Sequence, residues 1–333
     1  MDFDLSEQQR ALRDAARELL DSAASRERVR AVIDAPDGYD AGLWAAMGEQ
    51  GWLALELPEV EGGLALTFVE VAVLCEEVGR HVAPAPFLSN TLALAGITRA
   101  IADSEISERL QTGAAVGCVG FGGEVVVDAP IADVALLVTA DEVRMVTLEP
   151  RPDAQPAMDV TRRVAWVEGG EPIAGAALAD ELLDRGAVAY AAEILGAAER
   201  MLEVSVDYAK VREQFGRPIG SFQAVKHRLA DMLVDVEGIR SATWYAAWAV
   251  ANEAPDRALA ASTAKAWASE AGPRVIDGAL QVHGGIGFTW EHDLHLYLKR
   301  VHLDARQFGD ATLHHDRIVR GLRARLADGV ELF

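Results

Sequence analysis

"REQFGRPIGSFQAVKHRLADM", residues 212–232, joins two helical stretches, and its reading sets the architecture of the chain. Downstream, Phe222, Val225, Leu229, Met232, Leu233, Val236 and Ile239 recur at helical spacing, with Lys226, Arg228, Asp231 and Asp235 off that stripe. Upstream, residues 176–211 also read as one long helix. A plain turn would join two helices, so two arginines, two phenylalanines, two glycines, two glutamines and a proline in the joint imply a further duty. Arg212 ends the first predicted helix, Gly216, Pro218 and Gly220 shape the connector, and Gln223 falls in the first turn of the next helix. Free backbone N–H groups there favour an anion, which suits a pyrophosphate. Ordinary turn chemistry, with Arg212 complementing a helix C-terminus, is the alternative reading.

Beyond the joint the helical pattern continues over roughly 222–251, 256–282 and 291–325, which together with 176–211 predicts an up-and-down four-helix bundle. Residues 115–167 have a different texture. Short apolar and β-branched runs separated by Gly, Pro and Asp predict antiparallel strands, closed by "EGGEP" at 168–172. The first third is helical again: Ser6 and Gln9 fit a capping box ahead of Leu12, Ala16, Leu19 and Leu20. Further helix is expected from Ala41, over 66–80 and over 87–111, interrupted by the turn-rich "GWLALELPEVEGGLAL". The expected fold is mainly α with a small middle β domain: an N-terminal helical domain at 1–113, a short β domain at 114–170 and a C-terminal four-helix domain at 171–333.

Composition narrows the partners. The chain has 333 residues, half of them hydrophobic, enough for more than one packed unit. Its formal charge of -21 repels phosphate backbones and anionic lipid surfaces, so neither nucleic acid nor membrane is an expected partner. Cys75 and Cys118 sit in apolar runs without metal or redox spacing and read as buried, reduced thiols. The acidic, helical start lacks the order of a signal peptide, and no apolar run approaches the ~20 residues of a membrane span, so a cytoplasmic location is expected.

A second glycine-rich joint lies seventy residues on, in "LQVHGGIGFTWEHDLHLYLKR", residues 280–300, which carries Gln281, His283, Gly284, Gly285 and Gly287. Glycines there let a ligand approach the backbone closely. Two such joints in one helical domain, with the order helical, β, helical, give the sequence a resemblance to the acyl-CoA dehydrogenase family over nearly its whole length. The resemblance is strongest in the patterns RxxFGxxxGxFQ and QxHGGxGF, and weaker in "MDVTRRVAWV" at 158–167, which looks like that family's exit from its β domain. It implies FAD as cofactor. Arg212, Gln214, Phe215 and Gln223 would reach the adenosine diphosphate part of an FAD lying mainly on a neighbouring subunit, and Gln281, Gly284 and Gly285 would clasp the same molecule.

The family's reaction needs a carboxylate base facing the flavin. Its usual place aligns with Gly309, beside Asp310, and the alternative place aligns with Gly186; Asp184 and Glu193 read as ordinary helix residues. "GCVGFGGEVVVDAP" at 117–130 offers no flavin-ring turn, and Trp166 lies too near the domain exit to match the family's tryptophan segment. No catalytic residue is therefore assigned. The chain resembles the shorter subunit of actinobacterial heterotetrameric acyl-CoA dehydrogenases, which implies a full-length partner subunit, an acyl-CoA substrate with a steroid side chain, and an electron-transferring flavoprotein as acceptor. A self-sufficient homotetramer using Asp310 or an unrecognised carboxylate as base, and a scaffolding relative without flavin, are the competing readings. Histidines 283, 292, 295, 302, 314 and 315 lack the ExxH pairs of a di-iron bundle, so no metal is assigned and a solvated or interface role is expected.

Overall fold

The computed structural model describes residues 4–35, 37–101, 105–327 and 329. Six helices come first: α1 (Glu7–Ala23), α2 (Arg26–Ile33), α3 (Ala41–Glu49), α4 (Phe68–His81), α5 (Phe87–Ala100) and α6 (Glu105–Gln111). Ser6 and Gln9 form the reciprocal capping box that starts α1, and Thr67 and Glu70 do the same for α4. The stretch expected as one helix over 87–111 is two, α5 and α6. Residues Phe87 to Ile97 of α5 are all buried, so this helix runs through the interior and shows no polar face for periodicity to detect.

The strands follow: β1 (Gly117–Phe121), β2 (Val126–Val127), β3 (Val134–Val138), β4 (Glu142–Thr147), β5 (Val164–Ala165) and β6 (Glu171–Gly175). One sheet has the order β1-β3-β4-β6, and β2 pairs with β5 separately. The expectation of purely antiparallel strands fails at one place, because β1 and β3 are parallel. The intervening β2 and the turn at 129–131 return the chain to the start of β1, so β3 enters in the same direction.

β6 leads directly into α7 (Ala176–Val211), which has the span expected from sequence. The short hairpin β7 (Glu213–Gln214) and β8 (Arg217–Pro218) then precedes α8 (Gln223–Ala251) and α9 (Arg257–His283). The last predicted helix, 291–325, is broken into α10 (Leu294–Asp304) and α11 (Ala311–Ala327). Phe308 and Gly309 interrupt it with left-handed backbone at φ +56° and +86°. The buried Lys265 ammonium donates to the carbonyls of Ala305 and Gly309, which satisfies acceptors that the break exposes.

α7 is the central helix and is buried continuously from Leu182 to Ala198. Two glycines let it lie against α4. A Cβ at Gly79 would stand 1.9 Å from the Glu193 carbonyl oxygen, and one at Gly196 would stand 1.8 Å from that of Glu76. The stripe expected on α8 is only partly internal: Met232, Val236 and Ile239 are buried, whereas Leu233 is exposed and Val225 and Leu229 half-buried. The first half of α8 therefore projects past its neighbours in this chain. No helix among the described residues is long and apolar enough to cross a membrane.

Candidate functional site

Both glycine-rich joints lie at one end of the helical bundle. Tyr208, in the last turn of α7, stacks on His283, the last residue of α9, with ring centroids 4.5 Å apart. His283 donates Nδ1–H to the Ala279 carbonyl at 2.8 Å, and its ring also meets His292 at 4.7 Å. Burial lowers its pKa and keeps the imidazole neutral, as a packing piece needs. One buried histidine thus pins the two joints together.

The first joint is built for access. Arg212 caps α7 through its backbone N–H to Tyr208, and its carbonyl accepts from Ile219 at 2.8 Å, which closes the loop. Phe215 takes a left-handed φ of +53° at the hairpin tip and is 92 % exposed, against Phe222 at 6.0 Å. Gln214 bonds only the adjacent Glu213 carbonyl. Gln223 is the first residue of α8, among the free N–H groups of that terminus. Arg212, Gln214, Gln223 and Gln281 are all exposed, and the side chains of Arg212, Gln223 and Gln281 make no hydrogen bond or ion pair among the described residues. Gly216, Gly284 and Gly285 face open space, with nothing within 4 Å of where a Cβ would stand. Phe288 and Trp290, in and just after the helical turn at 284–288, are 70 % and 59 % exposed. The two joints, linked through Tyr208 and His283, thus each present exposed side chains and bare backbone.

The space beside Gly186, one of the two positions that the family resemblance aligns with a base, is filled. Phe308 is buried and packs on Tyr190 at 5.7 Å and Phe121 at 6.1 Å. It fits because Gly186 has no side chain: a Cβ there would lie 2.1 Å from the Phe308 ring. Asp310 accepts from the Leu313 N–H at 3.1 Å and so caps the start of α11, in the cap role its sequence context suggests. Burial raises the pKa of Glu124, on the turn after β1, to about 7. Burial likewise lowers the Lys265 ammonium to about 7. Trp166 is exposed.

Sequence reading missed the charged core. Arg162 binds Glu193 at 2.6 Å and Asp304 at 2.9 Å, while Arg300 binds Asp159 at 2.7 Å, Glu193 at 2.8 Å and the Thr161 hydroxyl at 2.6 Å, all buried. Burial first, and then the neighbouring Glu193, push the Asp304 carboxyl well above its ordinary value, while Arg162 and Arg300 pull it down. Against the cost of burial, Arg300 and Arg162 hold Asp159 below its ordinary value. Two arginines thus share three buried acidic side chains. Glu193 is therefore no ordinary helix residue, nor is Asp184, which is buried between Arg257 at 2.7 Å and Arg317 at 2.6 Å. The expectation for the histidines is corrected too: His283, His295 and His314 are buried, and burial first of all lowers His295 and His314 to about 4. The adjacent arginines of "MDVTRR" and Arg300 inside an apolar helical run were the available signals.

Comparison with known proteins places this geometry in context. The family descriptions "Acyl-CoA dehydrogenase, N-terminal domain" and "Acyl-CoA dehydrogenase, C-terminal domain" match residues 6–112 and 174–322. The chain is 40% identical over 313 residues to acyl-CoA dehydrogenase IpdE2 of Mycolicibacterium smegmatis, covering 92% of this chain and 96% of that protein. A chain of the ChsE4–ChsE5 complex from Mycobacterium tuberculosis superposes with a TM-score of 0.87 at 29% identity, covering 97% of this chain and 99% of that one. A chain of a Tcur3481–Tcur3483 steroid ACAD variant gives a TM-score of 0.87 at 28% identity, covering 96% and 99%.

Proposed function

The chain belongs to the acyl-CoA dehydrogenase family, and from that premise we propose that it is the subunit that completes the FAD site of a catalytic partner. The complex would desaturate an acyl-CoA thioester between its α and β carbons, on a substrate with a steroid side chain. One observation supports this reading: the two joints meet at one end of the bundle with the side chains of Arg212, Gln223 and Gln281 unpartnered among the described residues, while Phe308 fills the space beside Gly186. The similarity to chains of the ChsE4–ChsE5 complex and of a two-component steroid ACAD supports a full-length partner and the substrate class.

The residues present fit the cofactor. Arg212 offers a fixed positive charge to a pyrophosphate, the start of α8 offers backbone N–H groups beside Gln223, and Gly216, Gly284 and Gly285 let a nucleotide lie against bare backbone. Gln214 and Phe215 at the hairpin tip would meet the adenosine side, and Gln281 would close over it from the second joint. FAD, when bound, supplies the acceptor for the hydride leaving the β carbon. This chain's part is binding and orientation: it neutralises phosphate charge, excludes water with Phe215, Phe288 and Trp290, and leaves removal of the α-proton to the partner. Electron-transferring flavoprotein is the proposed acceptor for the complex.

A self-sufficient enzyme is the weaker reading, since Asp310 is engaged as a helix cap and Gly186 and Gly309 supply no carboxyl. A flavin-free scaffold has no need for unpaired donors at two joints. Arg212→Ala tests the assignment in the complex. Loss of one charge-assisted contact of about 1.5–3 kcal/mol should weaken FAD retention by roughly tenfold to a hundredfold, with an unchanged circular dichroism spectrum. Unchanged FAD occupancy after dilution would remove Arg212 from the site.

A further inference from the structure

A cavity of about 380 Å³ lies between α1, α4 and α8, well away from both joints. Its α8 residues begin at Glu237, fourteen positions beyond Gln223, which at 1.5 Å per residue is about 20 Å along the helix. The cofactor reading gives this cavity no role.

Its floor is Glu76. This side chain is buried in the middle of α4, its Oε2 has no hydrogen-bond partner, and its Oε1 stands 3.6 Å from Arg240 Nη1. Burial raises its pKa to about 8, so it offers a neutral O–H at physiological pH. Arg240 spends Nη2 on Glu199 at 2.7 Å and Nε on Glu237 at 3.3 Å, while Nη1 makes no hydrogen bond among the described residues and stands 3.6 Å from Glu76 Oε1. Arg10, across the opening, has among the described residues one side-chain ion contact, with Asp4 at 3.9 Å. Leu5, Val73 and Trp244 form an apolar wall. A ligand oxygen against Glu76 would satisfy a buried polar atom that otherwise has no partner.

This set selects among anions. A planar monoanion matches one free guanidinium edge plus one neutral donor, and an apolar body matches the Trp244 wall. A dianion such as phosphate would bring a second charge towards Glu237 and Asp4, which also line the cavity. We propose that the α1–α4–α8 cavity binds a small carboxylate with an apolar ring or tail, its carboxylate on Arg240 and Glu76 and its apolar part on Trp244.

Isothermal titration calorimetry of the full chain with phenylacetate, phenylacetamide and inorganic phosphate tests this. The expected result is saturable binding of phenylacetate, with phenylacetamide and phosphate each weaker by about tenfold or more. Ser241→Trp, which fills the cavity from an exposed position, should abolish phenylacetate binding with an unchanged melting temperature. Arg240→Leu should weaken it by about tenfold or more. No saturable heat with phenylacetate, phosphate binding as tightly as phenylacetate, or full affinity in Ser241→Trp would each overturn the proposal.

Discussion

Replacing Glu76 by glutamine removes a titration while keeping the shape of the side chain. Burial places the folded-state pKa of Glu76 at about 8, with Arg240 pulling it down and Glu199 and Glu77 pushing it up. In the unfolded chain a glutamate titrates near about 4.3. A carboxyl whose folded pKa is the higher one keeps a proton in the folded state that the unfolded chain has already released. The fold is therefore unpenalised below about pH 4 and loses stability as pH rises towards about 8, at about 1.4 kcal/mol per pH unit. Between pH 5 and pH 9 that penalty grows by about 4 kcal/mol. Glutamine does not titrate, so Glu76→Gln should gain about 4 kcal/mol on the wild type across the same interval, all other titrating groups being shared. Urea unfolding of both proteins at several pH values, followed by tryptophan fluorescence, measures the difference directly. A constant difference would refute the reasoning. So would a variant less stable than the wild type at pH 9, which would mean that Glu76 is ionised and held by Arg240.

Two further substitutions probe the frame around α7. Gly196→Ala places a Cβ 1.8 Å from the Glu76 carbonyl oxygen and must push α4 and α7 apart, so it should cost about 1–3 kcal/mol or more, read as a lower melting temperature. Glu193→Gln removes the carboxylate shared by Arg162 and Arg300 and leaves two buried guanidinium groups short of charge. It should cost about 3–5 kcal/mol in urea unfolding, far more than the same change at the exposed Glu253.

How far the sequence reveals this molecule depends on the range of the interactions involved. α7 was legible from Ala176 to Val211 because its boundaries are local: glycine ahead of it and a glycine-proline joint behind. The two joints stood out because glycine, proline and histidine between helices break the surrounding pattern. The charged core did not stand out, since Asp159, Arg162, Glu193, Arg300 and Asp304 come from three distant segments and each looks like an ordinary polar residue in its own helix or loop. The break between α10 and α11 was hidden for a different reason: Phe308 adopts a left-handed conformation that its residue type disfavours, held by the space at Gly186 and the rings of Tyr190 and Phe121. The parallel pairing of β1 with β3 depends on the path of the chain between them, which alternation of side chains does not encode. Within the candidate site, sequence pointed to the two joints, while the stack between them, Tyr208 on His283, needed the coordinates.

The claim on which the account rests is that this chain holds FAD only together with a second, full-length subunit. The direct measurement is the flavin content of the chain purified alone and after co-expression with a full-length acyl-CoA dehydrogenase subunit, with dye reduction by acyl-CoA followed on both. The account predicts a colourless, inactive chain alone and a yellow, active complex. A chain that purifies alone with stoichiometric FAD and oxidises acyl-CoA would contradict it.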